Sequence, residues 1–266
     1  MSSPPIAASE QDKELRSTSL DECEPRPGAI RGHGQQSYLV QKLGAEIVAG
    51  RYQVGDLLAT ELTAKADLNV SRGVYRESIR ALAAKGLVRS KTKVGTCVTD
   101  ASQWTLLDPH VLRWLQSAEK GSRLAIELLE LCRNIEPIAA SMAAARREHR
   151  DMVALRDACS TLARHPVVSN ASRQAEIRLH SALLKATHNT FFLSLDSAIH
   201  AAIALHFPAP GTSQDAQLHL HVVDAICKQR SKAAILETQT LWKRLTNATL
   251  DAEWVNDSMH ALGRDE

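Results

Sequence analysis

Apolar residues recur at helical spacing along most of this 266-residue chain, and the breaks in that spacing mark its organisation. Residues 1–36, rich in Ser, Pro, Gly and charge, carry too few large apolar groups to offset ordering entropy and are expected to form a disordered tail. From Tyr38 the pattern turns periodic: Leu39, Leu43, Ile47 and Val48 share one stripe, closed by Gly50. After a Gly55-Asp56 turn, Thr60 can cap a second helix with Glu61 in its first turn, ending near Asp67 to Asn69. Ser71 is a suitable N-cap for a third helix, which Gly86 closes, and "LVRSKTKVGTCVT" then reads as two short strands around a basic turn. Three helices and a hairpin over residues 37–99 predict a winged helix-turn-helix with a small β-hairpin wing.

Residues 100–121 read as a linker with its own apolar positions at Trp104, Leu107, Leu112 and Leu115. From Ser122 to Trp254 every segment has helical period, with polar breaks near Arg150, Pro166, Asn189, Pro208 to Gly211 and Arg230. The expected fold is therefore mainly α: an all-α bundle of six or seven helices over 122–255, then a tail at 256–266. Pro137 is expected to interrupt the first helix of that bundle and free a carbonyl near Arg133.

Composition sharpens this picture in two places. An aromatic share of 4% beside 44% hydrophobic residues favours packed helices over a sandwich or barrel. Net charge is only +2, yet from Ser37 to Thr99 Lys and Arg outnumber Asp and Glu by roughly two to one, a locally basic domain. The cysteines (Cys23, Cys97, Cys132, Cys159 and Cys227) form no C-x-x-C pair, which argues against a disulfide framework or zinc knot and fits a reducing compartment. With no apolar run near the ~18 residues of a membrane span and no signal-peptide core, a soluble cytoplasmic protein without membrane partners is expected.

The third helix carries the first candidate chemistry. In "VSRGVYRESIRALAAKGLV" Arg72, Arg76 and Arg80 span an arc of about 80°. Val74, Tyr75, Ser78, Ala81 and Leu82 fall on the other side, with Ile79 at the boundary. Such a helix has one face for a core and one for an anion. In a helix-turn-helix the second helix of the motif enters the major groove, where arginine can bridge two acceptors of guanine. Ser71, the exposed amides of that helix end and Gly73 suit close approach to phosphate, while Lys91 and Lys93 in the wing turn lie near the adjacent backbone.

"GRYQVGDLLATELTAKADLNVSRGVYRESIRALAAKGLVRSKTKVGTCV" resembles the DNA-binding domain of the GntR family, matching its pattern at Gly50, Gly55, Leu58, Thr60, Glu61, Val70, Ser71, Arg72, Arg76, Glu77, Leu82, Gly86, Leu87, Val88, Gly95 and Val98. The resemblance implies a DNA-contacting set of Thr60, Ser71, Arg72, Gly73, Arg76, Lys93 and Gly95; Arg80 joins it on geometry. Ala59 replaces the family's usual proline, and Leu62 stands where many members carry a DNA-touching arginine. One short helix reads few base pairs, so a homodimer on a palindromic double-stranded operator is expected.

The second half offers a different chemistry. "AEIRLHSALLKATHN" places Glu176 and His180 at i, i+4 on the face continued by Leu183 and Leu184. In "LHLHVVDAI" His219 shares its face with Val222, Val223 and Ile226, whereas His221 lies about 200° away and should be exposed. Arg133 and Glu136 fall on the apolar stripe of "LLELCRNIEPIAASMAAARR". Burying these five groups is costly unless they meet one another, a metal or a ligand.

These features resemble the helical ligand-binding FCD domain of the FadR branch of GntR regulators. Many of its members hold a divalent metal with an aspartate and three histidines, and receive a carboxylate effector at that metal. The resemblance implies Glu176, His180 and His219 as metal ligands for an ion such as Zn²⁺, with Glu176 in place of the aspartate and Leu241 where the last histidine would stand. It implies Arg133, Glu136, Glu176, His180 and His219 as the effector site. Three donors can hold Zn²⁺ with open positions, or bind a hydroxy acid by hydrogen bonds alone. Arg133 is open between an ion pair with Glu136 and fork-like capture of a carboxylate, and Asn189 is expected to end its helix in a left-handed conformation. "SQWTLLDPHVLRWL" and the absent last histidine are similar to branch members that regulate sugar-acid catabolism, which implies an aldonate- or galactonate-type effector. The expected function is a ligand-responsive repressor rather than an enzyme; the alternative is a metal-dependent sugar-acid enzyme with a DNA-binding appendage, using Glu176 as base.

Overall fold

The structure, a computed structural model of the chain, describes residues 33–59, 70–117, 122–165, 169–206 and 213–250. Helix α1 spans His33–Val48 and buries the expected stripe of Leu39, Leu43, Ile47 and Val48. It begins ahead of Tyr38, inside the stretch expected to be tail, and the Gln36 carbonyl there accepts from the Ser78 hydroxyl across the interface, 3.4 Å away. The rest of the tail, Thr60 with the second helix, and the end of the chain past residue 250 lie outside the described residues.

Helix α2 spans Arg72–Ala84 and packs on α1 through Tyr75, Ser78, Ile79 and Leu82, so Ile79 belongs to the core rather than its boundary. Antiparallel strands β1 (Val88–Lys91) and β2 (Gly95–Val98) form the wing, in a register pairing Val88 with Val98 and Lys91 with Gly95. Lys93 turns the hairpin at φ +64°, and Gly95 follows at φ +121°, a conformation that favours glycine.

The expected linker is structured. A 3₁₀ turn at Ala101–Gln103 leads into helix α3, Pro109–Gln116, which Asp108 caps by accepting from the amides of His110 and Val111. Val111, Leu112, Trp114 and Leu115 give it one broad apolar face, and it packs against both α1 and the bundle. Gly44 of α1 permits this approach: a Cβ there would sit 2.5 Å from the Trp114 ring. The Trp114 indole donates to Gln41 Oε1 at 2.6 Å, and Lys85 pairs with Asp108 at 2.7 Å.

The bundle consists of α4 (Arg123–Arg146), α5 (His149–Arg164), α6 (Asn170–Ala186), the short α7 (Thr190–Leu193), α8 (Asp196–His206), α9 (Ser213–Cys227) and α10 (Ser231–Leu250). Helix α4 is central, touching α6, α8, α9 and α10, and its small buried residues Ala139, Ala140, Ala143 and Ala144 let neighbours come close. It runs through Pro137 without interruption, contrary to the sequence expectation. Pro137 offers no amide to the Arg133 carbonyl, but burial of so long a face outweighs a proline cost of about 3 kcal/mol. His188, not Asn189, takes the left-handed conformation, at φ +48°; Asn189 is extended and caps α7 through the Phe191 amide.

Candidate functional site

Two groups of side chains carry chemistry. On the head, the Ser71 hydroxyl accepts from the Val74 amide at 3.3 Å and starts α2 at Arg72. Arg72, Gly73, Arg76 and Arg80 are exposed on one side of that helix, opposite Tyr75, which anchors it by donating to the Ala59 carbonyl. Arg76, Arg80, Lys91 and Gly95 line one cleft of about 460 Å³ between α2 and the wing. Lys93 is exposed at the tip of the hairpin, while Arg80 also pairs with Glu77 at 2.6 Å along its own helix.

The second group lies inside the bundle. Ser169 and Ser172 exchange capping hydrogen bonds that start α6, so Glu176 and His180 follow two to three turns in, on the face turned to the core. Both are buried, as is His219 of α9, whereas His221 is exposed as expected. One donor atom from each of Glu176, His180 and His219 lies within 4.8 Å of the others. His219 Nε2 is 3.7 Å from Glu176 Oε1, and the two imidazoles meet edge to face with ring centres 5.6 Å apart.

Glu136 organises this cluster from beneath. Its carboxylate is fully buried; one oxygen meets His180 Nδ1 and the other accepts from the Trp242 indole. With Nδ1 turned to Glu136, Nε2 is the nitrogen that His180 leaves to the cluster, offering a lone pair when the ring is neutral, and that buried Nε2 has no hydrogen-bond partner among the described residues. A carboxylate behind an imidazole whose other nitrogen is left open has the form of the outer layer found behind metal-ligating histidines. Burial opposes charge on His180, yet Glu136 and then Glu176 outweigh it and raise its pKa above the ordinary value. The donor set of one carboxylate and two imidazoles suits Zn²⁺ with positions to spare.

Arg133 is not part of the cluster. It is exposed on α4, although helical pitch puts it beside the buried stripe. Both oxygens of Glu136 are already engaged, so no counter-charge from that residue draws the guanidinium inward and its long stem leaves it in water. Trp242 is the site residue that sequence reasoning missed; its only signal was an indole on an amphipathic helix beside Leu241. Leu241 itself is buried and lines a small cavity with His180 and His219, where a further histidine would have met them.

A chain of contacts joins the two groups. Ser181, next to His180, donates to Asp196 at 2.6 Å and lies 2.8 Å from His200 Nε2, tying α6 to α8. Helix α8 packs on α3, and α3 holds α1 through Trp114 and Gln41.

A model of the bacterial regulatory proteins of the gntR family matches residues 35–98, and a model of the FCD domain matches residues 127–244. The galactonate operon transcriptional repressor of Escherichia coli K12 is 30% identical over 202 residues, 74% of this chain and 88% of that protein. The uncharacterized HTH-type transcriptional regulator YieP of the same strain is 28% identical over 207 residues, 76% of this chain and 90% of its own length. Among solved structures, that of Lar, which controls the expression of the Listeria monocytogenes agr system and mediates virulence, aligns with a TM-score of 0.57 at 15% identity, over 82% of this chain and 97% of that one. At that identity the likeness speaks for the fold alone. The chain belongs to the GntR family of bacterial regulatory proteins and carries an FCD domain behind its winged helix-turn-helix head.

Proposed function

We propose that this protein is a transcriptional repressor that grips a palindromic operator as a homodimer and is released when a carboxylate effector enters the bundle. The exposed row of Arg72, Arg76 and Arg80 on a helix whose other face is buried supports the DNA contact, with Ser71, Gly73, Lys93 and Gly95 at the phosphates. Thr60 joins this set by resemblance to the family alone.

The observation that carries the sensing half is the convergence of Glu176, His180 and His219 around the open Nε2 of His180. These residues fit a divalent cation such as Zn²⁺, which when bound supplies an electrophilic centre for a carboxylate oxygen. Glu136 then acts by orienting His180, not by touching the effector. The contacts from Ser181 through α8 and α3 to Gln41 support a coupling of effector and operator, in which each weakens the other's affinity.

The name of the galactonate operon repressor favours a sugar acid as effector, and membership of a family of regulatory proteins favours binding over sugar-acid turnover. The DNA contact is tested by footprinting genomic fragments retained by the purified chain. Arg72→Ala and Arg76→Ala should each abolish the specific footprint with an unchanged circular dichroism spectrum. Intact footprints would refute the assignment of α2 as the reading helix.

A further inference from the structure

The C-terminal end of the reading helix α2 is held against the start of α3 by several bonds at once. We infer that Lys85 and Asp108 are positioning residues that fix the orientation of α2 relative to the bundle, and so make the protein selective for the spacing between its two operator half-sites. The inference rests on the reading of the protein as a homodimer on a palindromic operator and adds to it a determinant of which operators fit.

Helix α2 ends at Lys85 in a tight turn, where the Gly86 amide donates to the Ala83 carbonyl at 2.9 Å and the Leu87 amide to the Leu82 carbonyl at 3.1 Å. The segment after the wing folds over that turn. The Thr105 amide donates to the Lys85 carbonyl at 2.9 Å, the Thr99 hydroxyl donates to the Gly86 carbonyl, and the Trp104 indole donates back to Thr99. The approach is so close that a Cβ on Gly86 would lie 2.0 Å from the Gln103 carbonyl oxygen. Those bonds tie the turn to the connecting segment; the Lys85–Asp108 pair carries the hold onto α3 itself.

Lys85 Nζ meets Asp108 Oδ2 at 2.7 Å, with the two side chains 17% and 21% exposed, so water and salt screen the pair less than they would on an open surface. Asp108 divides its oxygens. Oδ1 accepts from the His110 and Val111 amides at 2.8 and 3.3 Å and starts α3, while Oδ2 takes the lysine. An ammonium beside the first turn of a helix faces the positive end of its dipole, so the pairing depends on the Asp108 charge. Burial opposes that charge, yet Lys85 and the two amides outweigh it and lower the Asp108 pKa. Helix α3 in turn packs on α1, α4 and α8, so the pair joins the reading helix to the bundle by a route that does not pass through α1. One further base pair between half-sites moves one of them about 3.4 Å along the duplex and about 35° around it. A head fixed at the end of its reading helix cannot follow that rotation without breaking the pair. A head released there turns on its remaining contacts and reaches the displaced half-site.

The test uses the full chain and an operator fragment recovered by footprinting, remade with one or two base pairs added between its half-sites, beside a fragment carrying a single half-site. Affinity is read by fluorescence anisotropy. The native chain should lose at least about tenfold in affinity at each altered spacing. Lys85→Met keeps most of the stem and removes the charge, and Asp108→Asn keeps a capping side chain. Each should reduce that loss to about threefold or less while binding the single half-site as the native chain does, and the double variant should match the single ones. Spacing discrimination equal to native in either variant, or a further fall in the double variant, would overturn the inference. Weaker binding of the single half-site would overturn it as well, because Lys85 or Asp108 would then act on DNA directly or on the fold of α2. A native chain indifferent to spacing overturns the inference and leaves the DNA-binding reading intact; a native chain that footprints no two-fold site overturns both.

Discussion

Glu136→Gln is the most revealing single change in the bundle. The native carboxylate accepts from two buried donors, His180 Nδ1–H and the Trp242 indole N–H, with no access to water. A glutamine amide has one oxygen, so one donor must face an NH₂ group or His180 must change tautomer. Losing one charge-assisted bond and stranding its donor costs about 2–4 kcal/mol. For a chain of this size, at about 2–4 °C per kcal/mol, that lowers the melting temperature by about 4–16 °C. The tautomer change has a second effect. It moves the proton to Nε2, the atom that faces Glu176 and His219, and should weaken zinc binding about 10–100-fold. Competition against a chromophoric chelator measures that affinity, and thermal melts followed by circular dichroism measure the stability. Trp242→Phe is the control: it removes the other donor, so it should lower stability while leaving zinc affinity within about threefold. Zinc affinity unchanged in Glu136→Gln, or lost equally in Trp242→Phe, would refute the orienting role.

Two further outcomes follow from the same cluster. Leu241→His should tighten zinc binding by more than about tenfold, since its side chain lines the cavity with His180 and His219, while destabilising the metal-free chain by about 2 kcal/mol through a buried polar ring; chelator competition and melts check both. In the metal-free chain His180 has a raised pKa, so its stabilising contribution is complete below the unfolded value of about 6.5 and is lost as pH rises through the folded value. Urea midpoints of chelator-treated protein should accordingly fall from mildly acidic to alkaline pH, and zinc should flatten that slope.

What was legible in the sequence was what helical period alone determines. The stripe of α1, the two faces of α2, the pairing of Glu176 with His180 and the opposite fates of His219 and His221 all follow from pitch. What escaped was set by contacts between distant segments. Glu136 finds its partners 44 and 106 residues away, and no local pattern announces either. Arg133 shows the limit of pitch itself, because a position beside a buried stripe leaves a long charged chain free to reach water. Helix α3 was hidden in a segment read as linker, although Asp108-Pro109 is a start signal and Leu112 and Leu115 were already visible as apolar positions. Trp114 completes its apolar face by filling the space that Gly44 leaves.

The coupling between bundle and head is tested most directly by operator affinity, measured by fluorescence anisotropy on the zinc-loaded chain across a titration of D-gluconate and D-galactonate, for the native chain and for His180→Ala. The predicted result is a fall in operator affinity of at least about fivefold at saturating acid in the native chain, with no response in His180→Ala despite equal DNA binding without acid. An operator affinity that ignores both acids in the native chain, or that responds equally in His180→Ala, would contradict the account.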